Sequence, residues 1–431
     1  MNKQILRLAI PNIISNISIP LISSVDTLLM GRLSPAHIGA VGVGAMIFNF
    51  IYWNFGFLRM GTTGITAQAY GRKDEPFIIN TLGRALVVAM LLAALVMALQ
   101  IPFAQASFYL MNVAGEQYGL VGDYFFIRIW AAPATLALYA LMGWFFGMQN
   151  AIFPLILTIV INVVNIVLSY YLVAYLNWEV AGVAWGTVVS QYIGLALAVV
   201  LFFWKYGDLA EQFKQKSLFK IEELQQFLTI NRDIFIRTVC LTLAFGFFYS
   251  QSAKGGELVL AANVILLQFL NWMSYAVDGF AFAAESLVGK YKGASDDKKT
   301  QKSIRYSFIW GMVLAALFSL TYFFFGENLL YIFTDKESVI QAALPFLFWM
   351  ILLPILGTPS YIWDGIYVGL TASKAMRNSM ILSLIIYLGS FFLLKSMMNE
   401  IDALWLSLLI FLFIRGIIQW AIFWKKGLQI A

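Results

Sequence analysis

The chain is poor in the side chains from which most enzyme sites are built. Its 431 residues include one cysteine, Cys240, one histidine, His37, and only 12% charged residues. A lone cysteine excludes a disulfide framework and a cysteine zinc cluster. A lone histidine argues against a histidine metal site or a histidine relay. No P-loop GxxxxGK[ST], HExxH, GxSxG or DDxxD run occurs, so neither an ATP motor nor a membrane enzyme is supported. The chain is expected to be no enzyme, with no cofactor and no bound metal.

What is abundant is apolar. Hydrophobic residues make up 61% of the chain, and charge is about half the ~25% typical of soluble domains. That combination predicts an all-α polytopic membrane protein whose partner is the lipid bilayer. Twelve spans are read at about 7–31, 36–70, 81–102, 122–147, 151–176, 179–204, 231–252, 257–289, 304–326, 340–370, 376–397 and 403–424. The start, MNKQILRLAIPN, runs directly into the first span, and no cleavable signal is expected.

The net charge of +6 is a topology signal. If sides alternate from the N-terminus, 21 of the 28 basic residues fall on the N-terminal side and four on the other: Arg32, Lys254, Lys336 and Lys395. Arg59, Arg128 and Arg415 lie within spans. The positive-inside rule then places both termini in the cytoplasm. No recognition motif supports nucleic acid as a partner.

The longest polar break, KYGDLAEQFKQKSLFKIEELQQF, divides six spans from six. The expected organisation is an amino-terminal six-helix lobe over 1–204, a cytoplasmic linker over 205–230 with an amphipathic surface helix, and a carboxyl-terminal lobe over 231–431. The halves repeat. At a shift of 222 residues Ala40 meets Ala262, Asn49 meets Asn271, Gly71 meets Gly293, Asp74 meets Asp296, and Gly147 meets Gly369. Two duplicated bundles around a midplane cavity form a transporter arrangement. One such chain is sufficient, so a monomer is expected.

Four carboxylates lie well inside spans: Asp26, Asp278, Glu285 and Asp364. Acids there mark ion or substrate pathways by default, with a structural ion pair as the alternative. Asn12, Asn16, Ser23 and Asp26 share one helical face, and Pro20 precedes Asp26 by six residues. Asn162, Asn165 and Ser169 share a face of the fifth span, and Thr187 lies midway along the sixth. If these faces meet, they surround a small polar site able to take a proton on Asp26, or sodium, whose ligands are oxygens. In the eighth span Asn271, Asp278 and Glu285 recur every seven residues, and Asp364 follows Pro354 and Gly357 in the tenth. Arg237 and Arg415 are the expected counter-charges, and Glu285, near the cytoplasmic end, is open to solvation. Arg59, Tyr52, Trp53, Trp144, Tyr361 and Trp363 are candidates to line a cavity, where aromatic faces hold flat cations.

VDTLLMGRLSPAHIGAVGVG and MGTTGITAQAYGRKD resemble the first two spans of the multidrug and toxic compound extrusion (MATE) transporters. WDGIYVGLTASKAMRNSM, DGFAFAAESLVGKYKG, FLRMGTTG and NRDIFIRT resemble their bacterial DinF-like (DNA-damage-inducible protein F) branch. The resemblance covers nearly the whole chain. It implies a V-shaped pair of pseudo-symmetric six-helix lobes in the bacterial plasma (inner) membrane. It implies an efflux antiporter that exports small organic compounds, cationic ones among them, against inward proton or sodium flow by alternating access. The family's first-span aspartate is matched by Asp26, its fifth-span asparagine by Asn165 and its sixth-span threonine by Thr187. Where many relatives carry a second fifth-span aspartate, Ser169 stands here. That loss favours H+ over Na+ as the coupling ion. Some relatives couple through the carboxyl lobe, where Asp364 matches the tenth-span acid, but the seventh span here lacks their mid-membrane glutamate. Two rivals remain: a lipid-linked oligosaccharide flippase of the same superfamily, which needs a large basic cavity, and a channel or scaffold.

Overall fold

The computed structural model of the chain describes residues 1–30 and 34–429, with their side chains except at 19–30, 35, 116, 215 and 216. All regular structure among them is helical. The order is α1 (Asn2–Met30), α2 (Pro35–Asn54), α3 (Phe57–Arg72), α4 (Glu75–Ala98), α5 (Gln100–Leu110), α6 (Glu116–Arg128), α7 (Ala132–Gly147), α8 (Ile152–Ala174) and α9 (Glu179–Ala210). Then follow α10 (Gln215–Leu218), α11 (Ile221–Lys254), α12 (Glu257–Gly293), α13 (Asp297–Phe333), α14 (Glu337–Ala343), α15 (Leu347–Gly369), α16 (Ser373–Lys395) and α17 (Glu400–Lys426). An apolar chain in lipid must satisfy its backbone internally, and the helix does so within one segment.

Among the described residues, eleven stretches are long and apolar enough to cross a membrane. They overlap the expected second to twelfth spans, and α1 occupies the place of the first. Helices α2 and α3 form one such stretch, broken at Phe55–Gly56, and α6 and α7 form another, broken by a 3-10 turn at Ile129–Ala131.

The chain forms two compact units, Ile14–Leu228 and Thr229–Ala431 with Met1–Ile13. The duplication seen in the sequence extends to the backbone of each. Lys73 (φ 59°) and Ser295 (φ 55°), 222 residues apart, both take the left-handed conformation that ends a helix. Gln149 (φ 62°) and Thr371 (φ 55°) do the same. Asp74 caps α4 by accepting from the Phe77 amide at 3.1 Å, and Asp296 caps α13 from the Lys299 amide at 3.0 Å, again in register. Hydrogen bonds and charge from Lys299 hold the Asp296 carboxyl below its ordinary range. In the amino unit, Gly143 and Gly147 of α7 press on the backbone of α3 at Arg59 and Thr63. In the carboxyl unit, Gly365 and Gly369 of α15 press on α12 at Ala281 and Glu285. All four positions and all four contacts obey the same shift.

The polar break does not form a free amphipathic surface helix. Helix α9 continues to Ala210 through a bend at Tyr206, α10 is a single turn, and α11 begins at Ile221. Arg84, buried on α4, is the reason this segment packs with the amino unit. Its Nη2 donates to the Ser217 carbonyl at 2.7 Å, its Nε to the Leu218 carbonyl at 3.2 Å, and it pairs with Glu223.

Gly143→Val and Gly365→Val place a branched side chain against a facing carbonyl. Each is expected to cost about 1–3 kcal/mol or more, the range for overpacking. Gly389→Ala, which meets open space, is the control. Thermal unfolding of detergent-purified protein followed by size exclusion measures all three.

Candidate functional site

In the amino unit, α9 presents Gly182, Gly186, Ser190 and Gly194 at intervals of four. Small residues at that spacing let two membrane helices approach closely. A β-carbon on Gly186 would collide with Ser169, and one on Gly194 with Ile161 of α8. The approach brings two predicted residues together: Asn165 Nδ2 donates to Thr187 Oγ1 at 3.0 Å. Thr187 Oγ1 donates in turn to the Val183 carbonyl, also at 3.0 Å. Ser169 lies one helical turn beyond Asn165. The Oδ1 of Asn165 and the Oγ of Ser169 are buried and, among the described residues, have no hydrogen-bond partner.

Asn162 is engaged elsewhere, donating to Ser18 Oγ at 3.0 Å, while Ser15 Oγ donates to Thr158 Oγ1 at 2.8 Å. These bonds fasten α1 alongside α8. The side chains of Ser23 and Asp26 lie outside the described residues. Asn12 donates to the Leu8 carbonyl of its own helix at 2.9 Å and belongs to the carboxyl unit.

The carboxyl unit holds a larger network around Asp364, which is 4% exposed. Arg237 of α11 pairs with its Oδ2, and the Arg415 Nη2 of α17 stands 3.6 Å from the same oxygen. Gln419 donates to Oδ1 at 2.7 Å. Arg415 also donates to Ser360 Oγ at 2.7 Å and stacks on Tyr361, 5.3 Å from the ring centre. The pattern is two pairs at i, i+4: Ser360 and Asp364 on α15 meet Arg415 and Gln419 on α17. Gly416 permits the approach, since a β-carbon there would touch Pro359 and Ser360. Asp278 lies within electrostatic reach of Arg415 and Tyr361. The two arginines expected as counter-charges are thus in place. Ser360 and Gln419 were not anticipated, although their i, i+4 spacing from the charged residues was a usable signal.

Several candidates fall elsewhere. Glu285 is buried rather than solvated, because α12 and α15 touch at Gly369 beside it. Asn271 donates to Gln268 Oε1 of its own helix at 3.4 Å. Trp144 lies in the core and donates to the Ile78 carbonyl at 3.0 Å, so it lines no cavity. Trp363, by contrast, does line one: packed against Phe308 and Phe423, it borders with them and Trp420 an apolar recess of about 630 Å³ in the carboxyl unit. Trp53 is exposed. Arg59 sits 5.7 Å from the centre of the Phe146 ring, and Tyr52 is buried beside Arg128.

A buried pair that loses one partner costs about 3–5 kcal/mol. Asp364→Asn, which leaves two guanidinium groups facing each other, is expected to lower stability more than Arg237→Gln. Chemical denaturation of the two variants in detergent, monitored by tryptophan fluorescence, compares them.

The sequence model of the MatE family matches residues 11–171 and 234–393, one match in each half. The chain is 35% identical over 433 residues to DNA damage-inducible protein F of Escherichia coli (strain K12), covering 99% of this chain and 93% of that protein. It is 26% identical over 344 residues to multidrug and toxin extrusion protein 1 of Homo sapiens, covering 79% of this chain and 59% of that one. An outward-facing structure of a multidrug resistance MATE family transporter of the MOP superfamily has the same fold, with a TM-score of 0.89 at 18% identity, covering 99% of this chain and 96% of that one. A MOP superfamily transporter from Pyrococcus furiosus gives a TM-score of 0.88 at 18% identity, with coverage of 99% and 96%. With a family match in both halves, a near full-length relative and a shared fold, the chain is a multi-pass membrane protein that belongs to the MatE family.

Proposed function

We propose that the protein is an antiporter that exports small organic compounds, driven by protons entering through Asp26. The observation that carries this reading is the pair of buried, unpartnered oxygens on α8, Asn165 Oδ1 and Ser169 Oγ. An oxygen removed from water without a partner is costly, and such groups are kept where something else completes them. A protonated carboxylic acid offers the missing donor. Asp26 lies eight residues beyond Ser18 on α1, and Ser169 lies seven beyond Asn162 on α8. Since Ser18 and Asn162 are bonded, equal helical rise carries Asp26 and Ser169 to within about 2 Å of the same height.

The cycle follows from linkage. Asp26 takes a proton when the site faces outside, loses affinity for cargo and releases it. Facing inside, it gives up the proton and regains that affinity. The driving free energy is the difference in proton binding between the two states. One carboxylate with Ser169 where relatives carry an acid suits a proton better than sodium. Sodium remains the second reading, because the unpartnered atoms are oxygens. The basic residues then place both termini in the cytoplasm at a bacterial plasma membrane, and one chain performs the cycle.

The test is a proteoliposome with an imposed proton gradient in sodium-free buffer and a fluorescent organic cation as cargo. Gradient-driven movement is expected in the wild type and absent in Asp26→Asn, with Asn165→Ala impaired. Movement driven only by sodium would replace the proton reading. Unaltered proton-driven movement in Asp26→Asn would overturn it.

A further inference from the structure

Arg128 closes α6 inside the amino unit. Its guanidinium stacks against Phe48 and Tyr52, 5.4 and 5.5 Å from the ring centres. Stacking occupies the face of a guanidinium and leaves its five in-plane N–H donors to be satisfied separately. Among the described residues Nη1 is buried without a hydrogen-bond partner, and no carboxylate pairs with Arg128. The Tyr52 hydroxyl lies beside this guanidinium and beside the Thr135 hydroxyl. Tyr52 and Thr135 are each only 6% exposed, and among the described residues neither hydroxyl has a partner in hydrogen-bonding geometry. A second guanidinium, Arg59, shares with Arg128 the electrostatic neighbourhood of Tyr139.

The geometry points to a binding site for an organic oxyanion, built from Arg128, Tyr52 and Thr135 within the amino unit. The ligand class is a small amphipathic compound carrying one carboxylate, sulfonate or phosphate ester. The head accepts from the guanidinium and the two hydroxyls. Its apolar body meets the aromatic wall of Phe48 and Tyr52. Tyr192, which acts electrostatically on Tyr52, also lines an open apolar groove of about 480 Å³ with Trp130 and Trp185, all three exposed. The carboxyl-unit arginines do not offer the same site, because Asp364 and Asp278 already balance Arg237 and Arg415. Only the naming of this ligand as cargo rests on the export reading; the binding itself does not.

Equilibrium binding without any gradient separates the two. The probes are dansylglycine, dansylamide and dansylcadaverine, which share one apolar body and differ in charge: anionic, neutral and cationic. Fluorescence polarisation is read with the protein in phosphatidylcholine nanodiscs. Dansylglycine is expected to bind more tightly than the other two. Arg128→Gln is expected to weaken it about tenfold or more, as for a lost hydrogen bond between charged groups, while leaving dansylamide unchanged. Arg128→Lys should restore part of the affinity, and Tyr52→Phe and Thr135→Val, which keep the arginine, should each weaken the anion alone. These two variants keep the test decisive if Arg128→Gln does not fold. Equal binding of the three probes, or dansylglycine binding indifferent to all these substitutions, overturns the site. Nanodiscs containing phosphatidylglycerol address a lipid source for the same chemistry. Displacement of the probe by that lipid, lost in Arg128→Gln, would give the site to a lipid headgroup and overturn the cargo assignment. A site that binds the anion in a protein showing no proton-driven transport would leave this inference standing and remove the export reading.

Discussion

Each unit depends on a place where two helices touch backbone to backbone. Lipid gives apolar helices no hydrophobic reason to associate, so close van der Waals packing must hold them. Glycines at 143 and 147, and again at 365 and 369, supply it by leaving no side chain between α7 and α3 or between α15 and α12. The rest of each unit is arranged around that contact. Asp364 directly precedes Gly365 on α15, so the close approach that buries the glycine also takes the carboxylate out of solvent. A buried carboxylate needs partners on its remaining side, and α11 and α17 deliver them as Arg237, Arg415 and Gln419.

The backbone repeats more faithfully than the chemistry. The position 222 residues before Asp364 is Met142, and the position before Asp278 is Gly56, at the break between α2 and α3. The carboxyl unit places acids where the amino unit has a thioether and a bend. It then balances them internally, and a cation entering there would have to displace a guanidinium from Asp364. In the amino unit no carboxylate among the described residues pairs with Arg128, and Asn165 and Ser169 leave acceptors unfilled on α8. Both units keep unfilled polar atoms among the described residues, Arg237 Nε and the Nε and Nη1 of Arg415 among them. The two copies of one scaffold have therefore diverged in charge balance, since Arg237 and Arg415 face a carboxylate and Arg128, among the described residues, does not.

The spans and the duplication were legible because both are periodic properties of composition. Five identities at one offset were enough to predict equivalent helix ends, and Asp74 and Asp296 are equivalent caps. Pairing of Asp364 with Arg237 and Arg415 could also be read, since uncompensated buried charge is too costly to leave. Side-chain destinations were less legible. A polar stripe identifies a helical face, not what the face meets. Asn12 lay on the expected stripe but satisfies itself on the Leu8 carbonyl, an option open to any amide one turn after a carbonyl. Glu285 read as open to solvation because its distance along the helix from the cytoplasmic end does not reveal that its backbone meets Gly369 of α15. Trp144 read as a cavity aromatic because composition does not separate a wall from a core.

The three arginines placed within spans use one device with different completions. Each lays its guanidinium over an aromatic ring, Arg59 on Phe146 at 5.7 Å, Arg128 on Phe48 at 5.4 Å and Arg415 on Tyr361 at 5.3 Å. A lysine would not serve, because an ammonium is strongly hydrated and lacks a flat face to stack. Stacking supports the cation in a dry interior while leaving its edge free to recognise oxygen. At Arg415 that edge is turned to Ser360 and Asp364, and the protein itself supplies the oxygens. At Arg128 the described neighbours are two hydroxyls, Tyr52 and Thr135, which can donate or accept but carry no negative charge. No carboxylate among the described residues balances this guanidinium; an oxyanion would neutralise it and accept from the hydroxyls as well, which is why the amino unit is the one suited to such a ligand.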